Sequence, residues 1–522
     1  MAGTATPTPS STILGLDTQA PHYKWVVASV ILLAGATQIF GGTSINLVIP
    51  RLMAAFGTDL ATTQWVATGF LLTRTLVIPL LGWLSGRLGN RTLFVAMMTG
   101  FVVTTIGCGL SISLPMLVSF RLLQGLLLGT MEGLTTVILV QVFPPKQRGL
   151  ALGLRSIGWS AGQILFYTLG GYLIDQVSWR AIFFLGVPSG IVVVILGWLV
   201  LPQQREFQSG PVDYPGLLSL GGFLVPLLLA ISWGRNSDTA VSTLLGLGLC
   251  ALVGGGLFIL RELRAPVPAV NLRLFRRPAF CLICATAFLN NTGLFGALFM
   301  VPIFLQQVMG FTPLQTGLIL VPALIISGIS GVVTGRLSDL ISPPLMVIGG
   351  MMALSAIFYA FASVTVLTTV AVLVGYIILY RICMNAIFTP LTVLTVRMLE
   401  GDQLPMGQGL LGVVRSIGAG LGVTITSVIF ERQRAVHQLL AYHTYDSTSP
   451  AHEATLRELK LVLHQAGMMG ATADQAALRA IRQQMDIEAI AAGFQDSFLF
   501  IGGCFLLASL PIAWFLSRRS PA

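Results

Sequence analysis

Five arginines and one glutamate interrupt stretches that are otherwise apolar or small: Arg74, Arg121, Arg155, Arg381 and Arg415, with Glu132 inside GTMEGLTTVIL (129–139). Apart from Glu132, no charge lies between Arg121 and Lys146. On insertion scales a central arginine costs about 2.5–3.5 kcal/mol, so five facing lipid would cost about 12–18 kcal/mol. These side chains are therefore expected to face the protein interior or a wet cavity. Burial away from cations favours a protonated acid, whereas a neighbouring cation keeps it ionised. Three roles follow for Glu132: a proton carrier, a fixed counter-ion of Arg74, or a direct substrate contact. Both Arg74 and Glu132 fall near mid-span. No histidine lies at that depth, and no metal cluster or Ser–His–Asp set does either, so neither an enzyme nor a metal site is expected.

The surrounding elements are set by composition. The 522 residues are 55% hydrophobic and only 9% charged, against about 25% charged for a soluble domain, so the chain is an integral membrane protein. Runs of roughly 20 apolar residues predict fourteen spans, at 25–50, 65–85, 92–111, 116–142, 150–175, 181–202, 214–233, 243–261, 280–308, 314–335, 344–365, 367–396, 409–431 and 497–517. Arg87, Arg91, Lys146, Arg148 and the cluster Arg261, Arg264, Arg273, Arg276 and Arg277 fall on one side. The short loops opposite hold Arg51, Arg180 and Arg235. This asymmetry predicts both termini in the cytoplasm. The net charge of +10 is then topological, and nucleic acid is not implied. The six cysteines sit in apolar runs and suggest no disulfide framework.

An internal repeat organises the spans. LRSIGWSAG (154–162) recurs as VRSIGAGLG (414–422), and the same offset carries Arg121 onto Arg381. SGRLGN (85–90) is echoed by TGRLSD (334–339). The expected organisation is a cytoplasmic tail (1–24), a six-helix bundle (25–202), a linker with two inserted spans (203–279) and a second six-helix bundle (280–522). Parallel halves of this kind imply a transporter with substrate near the midplane between them. Within the second bundle, 432–496 is a long extracytoplasmic segment. Its leucine spacing and a Thr472–Gln475 capping box predict two short amphipathic helices lying over the outer face.

The motifs resemble the fourteen-helix drug–proton antiporter branch of the major facilitator superfamily. GWLSGRLGNR (82–91) is similar to its cytoplasmic loop and RLLQG (121–125) to its helix-4 motif. WRAIFFLGVPSG (179–190), LRLFRRPAF (272–280) and the 432–496 segment also match the branch. The resemblance implies an all-α major facilitator fold, a multi-pass protein of the cytoplasmic (inner) membrane, and proton-coupled efflux of small molecules by alternating access. The energy source would be a proton gradient, without a cofactor; the lipid bilayer and a periplasmic adaptor protein are the partners implied. It also implies a conformational-gating loop of Gly82, Gly86, Arg87, Gly89 and Arg91, echoed by Asp339, and a coupling or packing role for Arg121. This chain departs from the pattern at three places. Gly41 in IFGGTSINLVIP (39–50) stands where the branch has a helix-1 acid. Phe166 and Tyr167 replace a Gly-Pro pair, and Gly86 replaces the loop acid.

With the helix-1 acid gone, Glu132 becomes the candidate proton site, with Arg74 and Arg121 beside it in the coupling set. The candidate cavity residues are Gln38, Asn46, Arg155, Arg381, Arg415, Asn290 and Asn291, with Trp159, Tyr167 and Phe288 as aromatic walls. An interior with five arginines against one acid favours anionic or zwitterionic amphipathic substrates over dications. An uptake or facilitative carrier for an organic anion, or a membrane sensor or scaffold, would carry the same composition.

Overall fold

A computed structural model of the chain describes residues 12–13, 16–17, 22–42, 45–58, 60–63, 65–202, 213–234, 239–265, 272–365, 367–399, 403–444, 450–465 and 471–519. The apolar runs form α1 (Tyr23–Gly42), α2 (Trp65–Leu88), α3 (Asn90–Gly109) and α4 (Leu114–Val142). Helix α5 comprises Arg148–Leu165, a π-turn at Phe166–Gly170, and Gly171–Gln176. Then come α6 (Ala181–Val200), α7 (Tyr214–Trp233), α8 (Val241–Arg264) and α9 (Pro278–Gln307). The last are α10 (Pro313–Leu340), α11 (Pro343–Phe361), α12 (Val370–Met398), α13 (Gln403–Thr444) and α14 (Ala471–Arg519). Thirteen of these are long and apolar enough to cross a membrane on their own. Helix α5, interrupted by its π-turn, is the fourteenth long helix among the described residues. In the tail, Thr12–Ile13 and Leu16–Asp17 pair as a minimal antiparallel hairpin.

The first predicted span is corrected: α1 ends at Gly42 and a separate helix, Ile45–Phe56, follows. Helices α1–α6 pack on one another, as do α9–α14. The repeat explains how. A Cβ on Gly158 or Gly162 would sit 2.2 and 2.7 Å from the α1 carbonyls of Leu32 and Ala36, so only glycine allows α5 this close to α1. Gly418 and Gly422 meet the α9 carbonyls of Phe288 and Thr292 in the same way, at 2.5 and 2.1 Å. The repeated RSIG motif is thus a backbone-to-backbone contact used once in each half.

Two seams join the halves: α5 against α10, and α2 against α13. The inserted pair α7–α8 packs beside the second seam, where Thr68 of α2 meets Ser232 (3.3 Å) and Thr424 of α13 donates to the Ile231 carbonyl (2.8 Å). Leu245, Leu249 and Leu252 leave one face of α8 apolar and uncovered, as a lipid-facing surface requires.

The expected pair of short helices across 432–496 is also corrected. With 42 and 49 residues, α13 and α14 are about 63 and 73 Å long, roughly twice a 30 Å hydrocarbon core. Both run on beyond the bundle as an antiparallel stalk, with only Pro450–Gln465 as a separate helix. Polar bridges hold the stalk: His437 Nε2 to Asp496 (2.9 Å), Gln438 to Asp486 (2.9 Å) and Lys460 to Asp474 (2.7 Å). The helix expected to start at a Thr472 cap begins at Ala471 and continues unbroken into the last span.

Candidate functional site

The stretch 125–133 places a glycine every fourth residue, at Gly125, Gly129 and Gly133. A Cβ on Gly125 or Gly129 would lie 2.4 and 2.2 Å from the α2 carbonyls of Phe70 and Arg74. Helix α4 therefore lies directly on α2, and this contact sets Arg74 next to Glu132, with Arg74 Nη2 3.6 Å from Glu132 Oε2. The expected pairing is present. Arg415 of α13 brings Nη1 to 3.9 Å from Glu132 Oε1, and Arg155 of α5 lies within electrostatic reach. One carboxylate from the first half is thus faced by guanidinium groups from α2, α5 and α13, the last from the opposite half. Both separations exceed the 2.7–2.9 Å of a tight charge-assisted hydrogen bond. About a third of the Glu132 side chain is still accessible.

The two repeat-related arginines are held alike. Arg155 Nη1 donates to Thr136 Oγ1 of α4 (2.6 Å), and Arg415 Nη2 to Thr392 Oγ1 of α12 (3.2 Å), with its guanidinium over Phe388. The sequence marked both as cavity candidates but did not connect Arg415 with Glu132. Its place on a glycine-ridged helix like that of Arg155 was the available signal. Gln38, Arg155 and Trp159 line a small pocket with Ile31, Gly35 and Thr135.

Other candidates are distributed differently. Arg121 is fully buried and donates to the Val66 carbonyl (3.2 Å), the Gly41 carbonyl (2.5 Å) and Gln124 Oε1 (2.6 Å), over the ring of Phe70. It ties together α1, α2 and α4, and Gln124 extends the knot to Thr105 of α3. The backbone of Gly41 serves Arg121, and a Cβ there would meet the Phe101 ring at 2.5 Å. Asn291 is bonded to the Ala287 carbonyl of its own helix (2.8 Å), and α9 continues uninterrupted through it and the buried Asn290. Phe288 contributes its carbonyl to the Gly418 contact, and the Asn46 side chain lies outside the described residues. Tyr167 lies in the π-turn, and Arg381 is buried on α12.

Of the expected gating residues, Gly82 and Asp339 sit at the seams, and Arg87 and Arg91 make contacts within the first bundle. Gly82 abuts Met406 at the α2–α13 seam. Arg87 covers Trp83, Gly89 turns the chain with φ +73°, and Arg91 stacks on Trp198 while donating to its carbonyl. Gly86 lies in the last turn of α2. At the other seam the Asp339 carboxylate accepts from the Gly149 and Leu150 amides (2.8 and 2.9 Å) at the start of α5. That is an acid of one half clasping a helix N-terminus of the other, aided by the helix dipole. Gly149 and Gly153 interlock there with Gly331 and Gly335. Asp339→Ala should loosen this latch. Two bonds to a charged acceptor contribute about 1.5–3 kcal/mol each, so a cysteine at Ser156 in a cysteine-free background should react with a water-soluble maleimide at least about 10-fold faster. An unchanged rate would remove Asp339 from the closure.

The sequence model described as Major Facilitator Superfamily matches residues 31–423. The chain belongs to this superfamily. It is similar to the fatty acid resistance protein FarB of Neisseria gonorrhoeae (29% identical, 94% of this chain and 95% of that protein). It is also similar to the multidrug export protein EmrB of Escherichia coli strain K12 (28%, 94% of each). Among solved structures, the human organic anion transporter MFSD10 (TETRAN) superposes with a TM-score of 0.62 at 14% identity, over 95% of this chain and 100% of that one. The resemblance to multidrug exporters read from the motifs is borne out, and the chain is a multi-pass membrane transporter of the major facilitator fold.

Proposed function

We propose that this transporter exports amphipathic anions from the cytoplasm across the cytoplasmic (inner) membrane in exchange for protons, with both termini and the Asp339 latch on the cytoplasmic side. The observation that carries the reading is Glu132 held between Arg74 of its own half and Arg415 of the other. Ionised Glu132 bridges the halves and resists their separation. Protonating it removes the bridge. An anion seated on Arg74, Arg155 and Arg415 displaces the carboxylate and has the same effect, so proton and substrate each release the carrier on alternate passages. The two bundles, 25–202 and 280–522, are then the units that rock about the seams. Relatives named for fatty acid resistance and multidrug export fit an amphipathic cargo. The α13–α14 stalk gives a periplasmic adaptor a surface outside the membrane.

The cluster also favours a second reading. An anion on the arginines makes a proton on Glu132 easier to keep, so proton and anion could travel together as an uptake carrier does. Inverted vesicles separate the two, because an exporter concentrates the anion in an acidified lumen and a cotransporter expels it. Arg74→Gln gives a further check. It leaves Arg155 and Arg415 in place but removes one cation that competes with the proton, so the pH profile of transport should move to higher pH. An unmoved profile would make Arg74 a packing residue only.

A further inference from the structure

The repeat-related pair Arg121 and Arg381 has been given opposite fates. Arg121 is bonded to two carbonyls and an amide. Arg381 is only 7% exposed, yet its guanidinium donates no hydrogen bond and faces no carboxylate among the described residues, and its Nε is buried without a partner. Its guanidinium carbon lies over the ring of the neighbouring Tyr380, 5.6 Å from the centroid. A buried charge left in this condition is costly unless something else satisfies it. Tyr167, on the π-turn of α5, lies within its electrostatic reach from the other half, and its hydroxyl is likewise without a described hydrogen bond. No π-turn interrupts the corresponding helix α13. The turn is therefore particular to α5, where it packs against α10 of the other half.

We infer that Arg381 and Tyr167 form a second anion-binding station, which takes the sulfonate, carboxylate or phosphate head of an amphipathic substrate between the halves. It is separate from the Glu132 cluster. Arg381 and Thr392, the partner of Arg415, are eleven residues apart on α12, or about 16 Å along the axis. The direction is away from the Asp339 latch, toward the stalk side, where Gly317 of α10 packs against Tyr167. A head group released from the three arginines would find Arg381 next on its way out, while its tail still lay in the cleft. The guanidinium supplies paired donors suited to a planar or tetrahedral oxyanion, and the phenol adds one donor from the opposite bundle. This station rests on the anion-export reading for its place in the cycle but not for its chemistry, since an uptake carrier would use it in reverse order.

The test is equilibrium binding of radiolabelled dodecanesulfonate to the full-length protein in nanodiscs, with empty nanodiscs subtracted and dodecanol as the uncharged control. Arg381→Gln should weaken dodecanesulfonate about 10-fold or more and leave dodecanol unchanged, as expected for one lost charge-assisted contact. Arg381→Lys should recover part of the loss, which separates a binding role from misfolding, and Tyr167→Phe should cost a smaller factor. Unchanged dodecanesulfonate binding by Arg381→Gln would overturn the station, as would a wild-type protein that binds the two probes equally. No proton gradient is involved, so a failure of the export reading in vesicles leaves this result standing, and the reverse also holds.

Discussion

Glu132→Gln is expected to leave a protein that binds its anion and equilibrates it across the membrane but no longer concentrates it. Glutamine keeps the shape and a hydrogen-bond acceptor for Arg74 and Arg415, while it loses the charge that bridges the halves and the site that takes a proton. The bridge is then open at every pH, so downhill exchange persists and the dependence on the proton gradient disappears. Counterflow of labelled dodecanesulfonate should continue in proteoliposomes while accumulation falls to equilibrium. If the variant still accumulates substrate at the normal rate, Glu132 is a structural ion and coupling belongs elsewhere, with Asp339 or the substrate itself.

Arg121→Ala should act on the fold. The side chain fills the centre of the first bundle and satisfies the Gly41 and Val66 carbonyls together with Gln124. Truncation leaves those buried acceptors without a donor and opens a cavity beneath Phe70. Three lost bonds to a charged donor imply a cost of about 3 kcal/mol or more. The purified variant should unfold well below the wild type in a thermal melt, or fail to accumulate in the membrane. Arg121→Lys should recover little, since a single ammonium cannot span acceptors on three helices in the guanidinium geometry. An Arg121→Ala protein as stable as wild type and defective only in transport would instead make this arginine part of the coupling path.

Much of this was legible in the sequence because membrane insertion makes each buried charge costly. That cost singled out Glu132 and the five arginines, and the repeat supplied the two halves. The Arg74–Glu132 pair was readable from depth, since both charges fall near mid-span, but the glycine ridge at 125–133 that brings their helices together was not read. Arg415 was harder. A single sequence does not say how far two bundles have closed on each other, and its approach to Glu132 depends on the α2–α13 seam. The different fates of Arg121 and Arg381 could not be read at all, because the spacing is the same and only the surrounding carbonyls distinguish them. The stalk was misjudged for a related reason. Helical periodicity at 456–463 and 478–485 says that helices form there, not whether one of them joins the span that follows.

The central claim is that protons drive outward movement of anions through Glu132. It is tested most directly in inverted vesicles carrying the wild-type protein or Glu132→Gln, loaded to give an acid or an alkaline lumen and exposed to labelled dodecanesulfonate. This probe stays ionised throughout, so passive weak-acid partition plays no part. With the wild type, substrate should rise in the acid lumen above the outside concentration and fall below it in the alkaline lumen, while Glu132→Gln should reach the same equilibrium in both. Accumulation in the alkaline lumen, or identical gradients from the two proteins, would contradict the account.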